Sequence, residues 1–318
     1  MNPFADRNCV CELSEKEIIE RICGNFGSSM PPPPFGAGDD CALIKKSLLR
    51  KNLYATSDAV IYGRHFDSSA SPRRAGAKLM KRNISDIASM GASPIAALTS
   101  SIFSKNLSLE WLDEFCFGLA STAEEYGIKL IGGDLAGVEK DFFSMHLTLL
   151  GDSSTKPLLR SGAGVGDWIY VTGVLGRSFE SGHHLDFQPR LREGIWLGKQ
   201  KCVRACTDLS DGLGQDLRNI ISSGEISAEI FADSVPLRAF PGGKASLSQA
   251  LGDGEDYELL FAVRGNYMKF EKSFFAVFGY VPFRIGRIVN SKCGRHGEIY
   301  ITYSGVKTLY NGGGFSHF

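Results

Sequence analysis

The chain reads as an α+β protein of two domains. Three observations predict this. Strand-like and helix-like segments mix along all 318 residues without a strict βαβ rhythm, which argues against a doubly wound parallel sheet. A Gly- and Ser-rich stretch, "GDSSTKPLLRSGAGVGD" over 151–167, interrupts the pattern near the middle and reads as a domain boundary. No self-similarity recurs at solenoid periods. The reading therefore places one domain over 1–152 and a second over 153–318.

The elements follow in order. "SEKEIIERICGNF" (14–26) has an apolar stripe at Ile18 and Ile22 and predicts a helix. Four successive prolines at 31–34 end it. Residues 41–46 and 52–61 read as strands. "PRRAGAKLMKRNISDIAS" opens on Pro72 and reads as a helix to about Met90, closed by Gly91 and Pro94. Then come a strand at 95–103, a helix at 108–127, a strand entering a turn at 128–134 and a strand at 143–152. In the second half, "WIYVTG", "SAEIFAD", "EDYELLFAV" and "FRIGRIV" read as strands, and "ACTDLSDGLGQDLRNIISSG" as a strand feeding a helix.

Composition narrows the function. Thirty-five basic and 35 acidic side chains give a net charge of zero, which offers no general nucleic-acid surface. No run approaches the ~20 apolar residues of a membrane span, and the first 17 residues lack a secretory apolar core. The eight cysteines show no CxxC spacing, so they read as reduced, mostly buried thiols of a cytoplasmic protein. His183 and His184 read as part of a solvated loop, Trp111 and Trp196 as core or interface.

The chemistry lies in acidic corners. Gly-Asp and Ser-Asp steps recur at Asp39-Asp40, Thr56-Ser57-Asp58, Ser85-Asp86, Gly132-Gly133-Asp134 and Asp208-Leu209-Ser210-Asp211-Gly212. Any one could be a turn or a helix cap. Together they exceed what capping needs. Thr56 and Asp58 lie two apart on a strand and share a face. Asp86 lies inside a helix, where it cannot cap. Many hard oxygens with no Lys or Arg adjacent in the chain suit Mg²⁺ and the phosphates it carries. There is no Walker A motif, and "GAGVGDW" lacks the GxGxxG spacing and precedes its strand, so neither a P-loop nor a Rossmann site is expected.

With these segments in place, the chain resembles the thiamine-monophosphate kinase family of the PurM-like superfamily. The likeness runs in order through "GAGDDCALI", "TSDAVIYGRHF", "KLMKRNISDIASMGASP", "LIGGD", "RSGAGVGDWIYVTGVLG", "TDLSDGLGQDL", "GEDYELLF" and the closing "GGGFSHF". The resemblance implies Mg²⁺-dependent, direct in-line transfer of the ATP γ-phosphoryl group onto thiamine monophosphate. It implies a two-domain α/β sandwich and a homodimer whose N-terminal strands join in a barrel, with the active site in the cleft between domains. By position, Asp40, Thr56, Ser57, Asp58, Asp86, Asp134, Asp208 and Asp211 would ligate magnesium. Asp211, Asp58 and Asp134 would carry the catalytic load. Gly133, Asp134, Arg160 and Ser210 would contact ATP, and His65, Glu255 and Phe315 would contact thiamine phosphate.

The sequence departs from the family pattern at Leu135, where a hydroxyl residue is usual, at Asp253, at Ser316, and in a short 176–192 segment without the usual apolar helix. These departures motivate the alternative of a non-catalytic relative that binds thiamine phosphate or nucleotide. The rival enzyme of the superfamily that needs an N-terminal Cys beside a Lys, selenophosphate synthetase, lacks that setting around Cys9 and Cys11.

Overall fold

The computed structural model describes residues 2–4, 7–13, 15–31, 52–222, 224–291 and 296–312. The strand expected at 41–46, Asp40, Phe315 and Ser316 lie outside these. The chain divides into two compact units, 1–87 with 93–154, and 88–92 with 155–318.

Among the described residues, the first unit is a four-stranded sheet backed by helices. Strands β1 (Asn52–Ile61), β2 (Ser93–Ser104), β3 (Lys129–Val138) and β4 (Phe143–Ser153) stand in the order β1-β4-β2-β3. Only the β2/β3 pair is parallel. Side-chain alternation sorts the faces. Val60, Met145, Leu147 and Leu149 are buried on one face with Leu79, Met80, Ile84 and Ile87 of α2 (Pro72–Ser89). Trp111 and Phe115 of α3 (Leu109–Glu125) pack on Phe143, the Trp111 and Phe143 rings 4.6 Å apart. Helix α1 (Glu15–Phe26) lies on α3, where Arg21 and Asn25 both donate to Asp113. The opposite sheet face leaves Leu53 56% and Leu98 37% exposed.

Helices α2 and α3 touch backbone to backbone. A Cβ at Gly118 would lie 2.0 Å from the Arg73 carbonyl oxygen, and one at Gly76 equally close to that of Phe115. Only glycine permits this approach, and it sets how closely α2 and α3 lie.

The second unit is a seven-stranded sheet in the order β13-β12-β7-β11-β5-β10-β6. Its strands are β5 (Trp168–Val171), β6 (Val203–Asp208), β7 (Ile226–Phe231), β10 (Leu259–Val263), β11 (Phe283–Asn290), β12 (Ile299–Tyr303) and β13 (Val306–Leu309). Two short strands, β8 (Ala239–Phe240) and β9 (Gly243–Lys244), pair separately. Apolar side chains occupy both faces. Ile169 and Val171 pack with Leu213, Leu217 and Ile220 of α6 (Leu213–Ile221) and with Ala250 of α7 (Leu247–Gly252). Between them in sequence, Tyr170 packs oppositely, against Phe270 and Phe274 of α8 (Tyr267–Phe278) and Leu197 of α5 (Leu191–Leu197). This two-sided burial produces the α/β sandwich.

Several expectations need adjustment. His183 and His184 are not in a solvated loop. They open the short helix α4 (His183–Asp186), and His184 is buried, stacked on Phe179 at 4.2 Å. Glycines 132 and 133 do not end the strand: β3 continues to Val138 because parallel pairing with β2 runs through them. The strand expected from residue 255 begins only at Leu259. Cys9, Cys23, Cys116, Cys202 and Cys206 carry free thiols, and Trp111 is core.

Candidate active site

In the first unit, alternation along β1 puts Thr56 and Asp58 on the helix-facing side, opposite Leu149 and Leu147 of β4. There the Thr56 hydroxyl donates to Oδ2 of Asp86 at 2.5 Å. The Asp58 amide donates to Oδ1 of Asn83 at 3.1 Å, and its Oδ1 accepts from Nη2 of Arg82 at 3.1 Å. Arg82, Asn83 and Asp86 lie within one turn or so of α2, so they share a face. The carboxylates are therefore not without a cation: Arg82, distant in the chain from Asp58, reaches it across the β1–α2 contact. The same alternation sends Ser57 to the open face, where its hydroxyl accepts from Thr148 at 3.3 Å. Its side chain does not join Thr56 and Asp58.

His65 is buried. Its Nδ1 accepts the Ile61 amide at 3.1 Å, which leaves the ring proton on Nε2, and its carbonyl accepts from the buried Lys78 ammonium at 2.8 Å.

Gly133 and Asp134 stand on the other edge strand. A Cβ at Gly133 would fall 2.3 Å from the Thr99 carbonyl oxygen, so close pairing requires glycine there. Asp134 pairs with Ser100, whose neighbour on β4 is the exposed His146. It is thus on the open face, three strand spacings or about 14 Å from β1. A cavity of about 120 Å³ runs between α1 and this edge, lined by Ile22, Phe26 and Met30 on one side and Gly133, Asp134 and Leu135 on the other.

In the second unit, the candidates converge. Asp208 ends β6, buried, and Arg160 reaches the preceding residue, its Nε donating to Oγ1 of Thr207 at 3.3 Å. Three backbone hydrogen bonds zip the turn after β6 to the loop before β10: Leu209 N to Glu258 O, Tyr257 N to Leu209 O, and Glu255 N to Ser210 O, each 2.8 Å. Gly254 makes the contact possible, since a Cβ there would lie 2.6 Å from the Ser210 carbonyl. Asp208, Ser210, Asp211, Glu255 and Arg160 therefore form one neighbourhood.

Residues not singled out from sequence hold it. Asp216, buried at the start of α6, accepts the Asp211 amide at 3.0 Å. Burial, its largest influence, pushes its carboxyl up to about 7. Glu255 and Tyr257 both adopt left-handed backbone, φ 56° and 49°, which costs of order 1 kcal/mol each and clusters at functional sites. The intervening Asp256 and following Glu258 point into the protein. Glu258 takes a two-pronged contact from Arg190, at 2.6 and 2.8 Å, and the Thr172 hydroxyl at 2.6 Å. The legible signal was the acidic run "GEDYE" itself, in which two of three carboxylates are anchors.

Among the described residues, no three His, Cys, Asp or Glu side chains gather closely enough to hold a metal unaided. The hard oxygens of Thr56, Asp58 and Asp86, and of Asp208 and Asp211, nevertheless fit Mg²⁺. That ion commonly takes one or two carboxylates and fills its shell with water and phosphate.

Comparison with known proteins gives the family. Residues 38–152 match the AIR synthase related protein N-terminal domain family. A thiamine-monophosphate kinase of Rhodopirellula baltica is 34% identical over 249 residues, covering 74% of this chain and 77% of its own. A solved structure of AaThiL complexed with AMPPCP and TMP superposes with a TM-score of 0.68 at 26% identity, covering 96% of this chain and 98% of that one. The E. coli hydrogenase maturation protein HypE reaches a TM-score of 0.76 at 18% identity, over 94% and 98% of the two chains, a likeness of fold alone. The fold and the family match thus define an AIR synthase-related, PurM-like protein. Within that class, the chain belongs to the thiamine-monophosphate kinase family.

Proposed function

We propose that this chain converts thiamine monophosphate to thiamine diphosphate with ATP as donor. An oxygen of the acceptor phosphate attacks the γ-phosphorus in line, the bond from that phosphorus to the β-bridging oxygen breaks, and ADP leaves. The acceptor phosphate is ionised at neutral pH, so alignment and charge neutralisation replace a strong general base. The observation that carries the reading is the second-unit neighbourhood, where backbone hydrogen bonds gather Asp208, Ser210, Asp211 and Glu255 and the Arg160 side chain reaches Thr207 beside them.

Arg160 and Ser210, with Gly133 and Asp134, bind the nucleotide. Asp58, Asp86 and Thr56 hold Mg²⁺ in one unit, with Asp40 a further ligand, and Asp208 and Asp211 hold Mg²⁺ in the other; Ser57 is turned away from the first group, and Asp134 ligates a cation apart from it. When bound, the cations screen repulsion between donor and acceptor. His65, Glu255 and Phe315 hold thiamine phosphate. The chain acts as a homodimer in the cytoplasm. Support for the dimer is the open sheet face, with Leu53 and Leu98 exposed, and the placement of Asp134 on it.

Incubation with ATP, Mg²⁺ and thiamine monophosphate, followed by chromatography, tests the reading. Thiamine diphosphate and ADP are expected in equal amounts. Saturable binding of both ligands without product would overturn it in favour of a non-catalytic binder.

A further inference from the structure

We propose that Arg238, acting through Asp256, is a positioning residue that holds the Glu255 loop and the Asp208–Asp211 turn as one body, and so sets the binding of donor and acceptor together. The inference rests on the function proposed above. Asp256 is 1% exposed and stands between the two left-handed residues Glu255 and Tyr257. Its carboxylate accepts the Gly176 amide at 3.0 Å, the Ser178 hydroxyl at 2.6 Å and Nη2 of Arg238 at 2.8 Å. Arg238 is itself buried, and it also donates to the carbonyls of Gly176 at 3.1 Å and Val174 at 2.7 Å. The guanidinium therefore ties the Asp256 side chain to the 174–178 segment.

A loop with two left-handed residues relaxes unless its surroundings dictate its shape. Asp256 is the residue that dictates it, because its flanking neighbours carry the unfavourable backbone. His183 adds a fourth tie: its Nε2–H donates to the Asp256 carbonyl at 2.9 Å. The constraint does not stop at the loop. Glu255 N bonds Ser210 O and Tyr257 N bonds Leu209 O, so a shift at Asp256 moves the turn that presents Ser210 and Asp211. One buried arginine thus governs groups assigned to two different substrates.

Arg238→Lys keeps the charge and removes the fork. With Arg264→Ala as control, which breaks an ion pair to the buried Asp167 elsewhere in the unit, thermal melts and steady-state kinetics are compared. Arg238→Lys is expected to raise KM for ATP and for thiamine monophosphate together, each roughly tenfold, as a displaced binding frame would. Arg264→Ala is expected to lower Tm and leave both KM values alone. Effects on one substrate only, or none, would overturn the inference. Should Arg238→Lys not fold, Ser178→Ala removes one Asp256 contact and carries the same paired expectation at about threefold.

Hydrogen exchange separates this inference from the function. The Leu209, Glu255 and Tyr257 amides are expected to lose protection together in Arg238→Lys, whatever the protein phosphorylates. Loss at 255 and 257 with Leu209 unchanged would refute the coupling even in an active kinase. Concerted loss in a protein that makes no thiamine diphosphate would refute the function instead.

Discussion

His183 makes the second unit acid-sensitive in a way that can be worked through. The ring is packed under the Asp256 carbonyl. Burial, then the positive charge of Arg238, with smaller effects from Arg190 and His184, carries its pKa from the ordinary 6.5 down to about 4; the hydrogen bond to Asp256 opposes this. A base whose pKa is lowered on folding contributes stability that is present above its unfolded value and lost as pH falls through the folded one. The window is therefore about pH 6.5 to 4. At pH 4.5 the unfolded imidazole is almost wholly protonated and the folded one only about a quarter. At 1.36 kcal/mol per pH unit, the loss between pH 7.5 and 4.5 is about 2.5 kcal/mol, trimmed to about 2 by partial exposure. His183→Gln retains an N–H donor and does not titrate. Urea unfolding of both proteins at the two pH values measures the difference, provided the m-values agree. The native protein is expected to lose about 2 kcal/mol more than the variant. Equal losses would refute the argument that this imidazole is held neutral.

Three other substitutions probe the remaining claims. Asp211→Asn is expected to lower turnover at least a hundredfold with an unchanged Tm, because it removes ligand charge but no packing; full turnover at limiting Mg²⁺ would show that Asp211 binds no cation. Arg190→Met leaves Glu258 buried without its two-pronged partner and should cost about 3–5 kcal/mol in chemical denaturation, partly restored by adding Glu258→Gln. Gly118→Ala forces apart backbones that a Cβ would meet at 2.0 Å; a stability loss of about 1–3 kcal/mol is expected in the same assay, and no loss would mean that the helices separate freely.

Much of the architecture was legible because periodicity is local. The strand at 52–61 and the helix from Pro72 are found where apolar spacing put them. So is the shared face of Thr56 and Asp58, which follows from the two-residue repeat of an extended chain. The reading failed where partners come from afar. Nothing near Asp58 in the chain shows Arg82. A histidine pair beside Gly182 looks solvated until Phe179 and the Asp256 carbonyl enclose it. Glycines at 132 and 133 suggest a turn, yet parallel pairing with β2 keeps them extended.

By itself, then, the order of residues determined the kind of chemistry: recurring carboxylates and hydroxyls, no thiolate or imidazole cluster, and motifs arranged as in one family. Tertiary structure decided which of those carboxylates face a partner and which serve as anchors. In "GEDYE", the residue types are alike and only the backbone angles separate them: left-handed turns at 255 and 257 swing Asp256 and Glu258 inward to arginines 18 and 68 residues away. Ion pairs at such separation form only once the chain has closed on itself, so no local pattern can announce them.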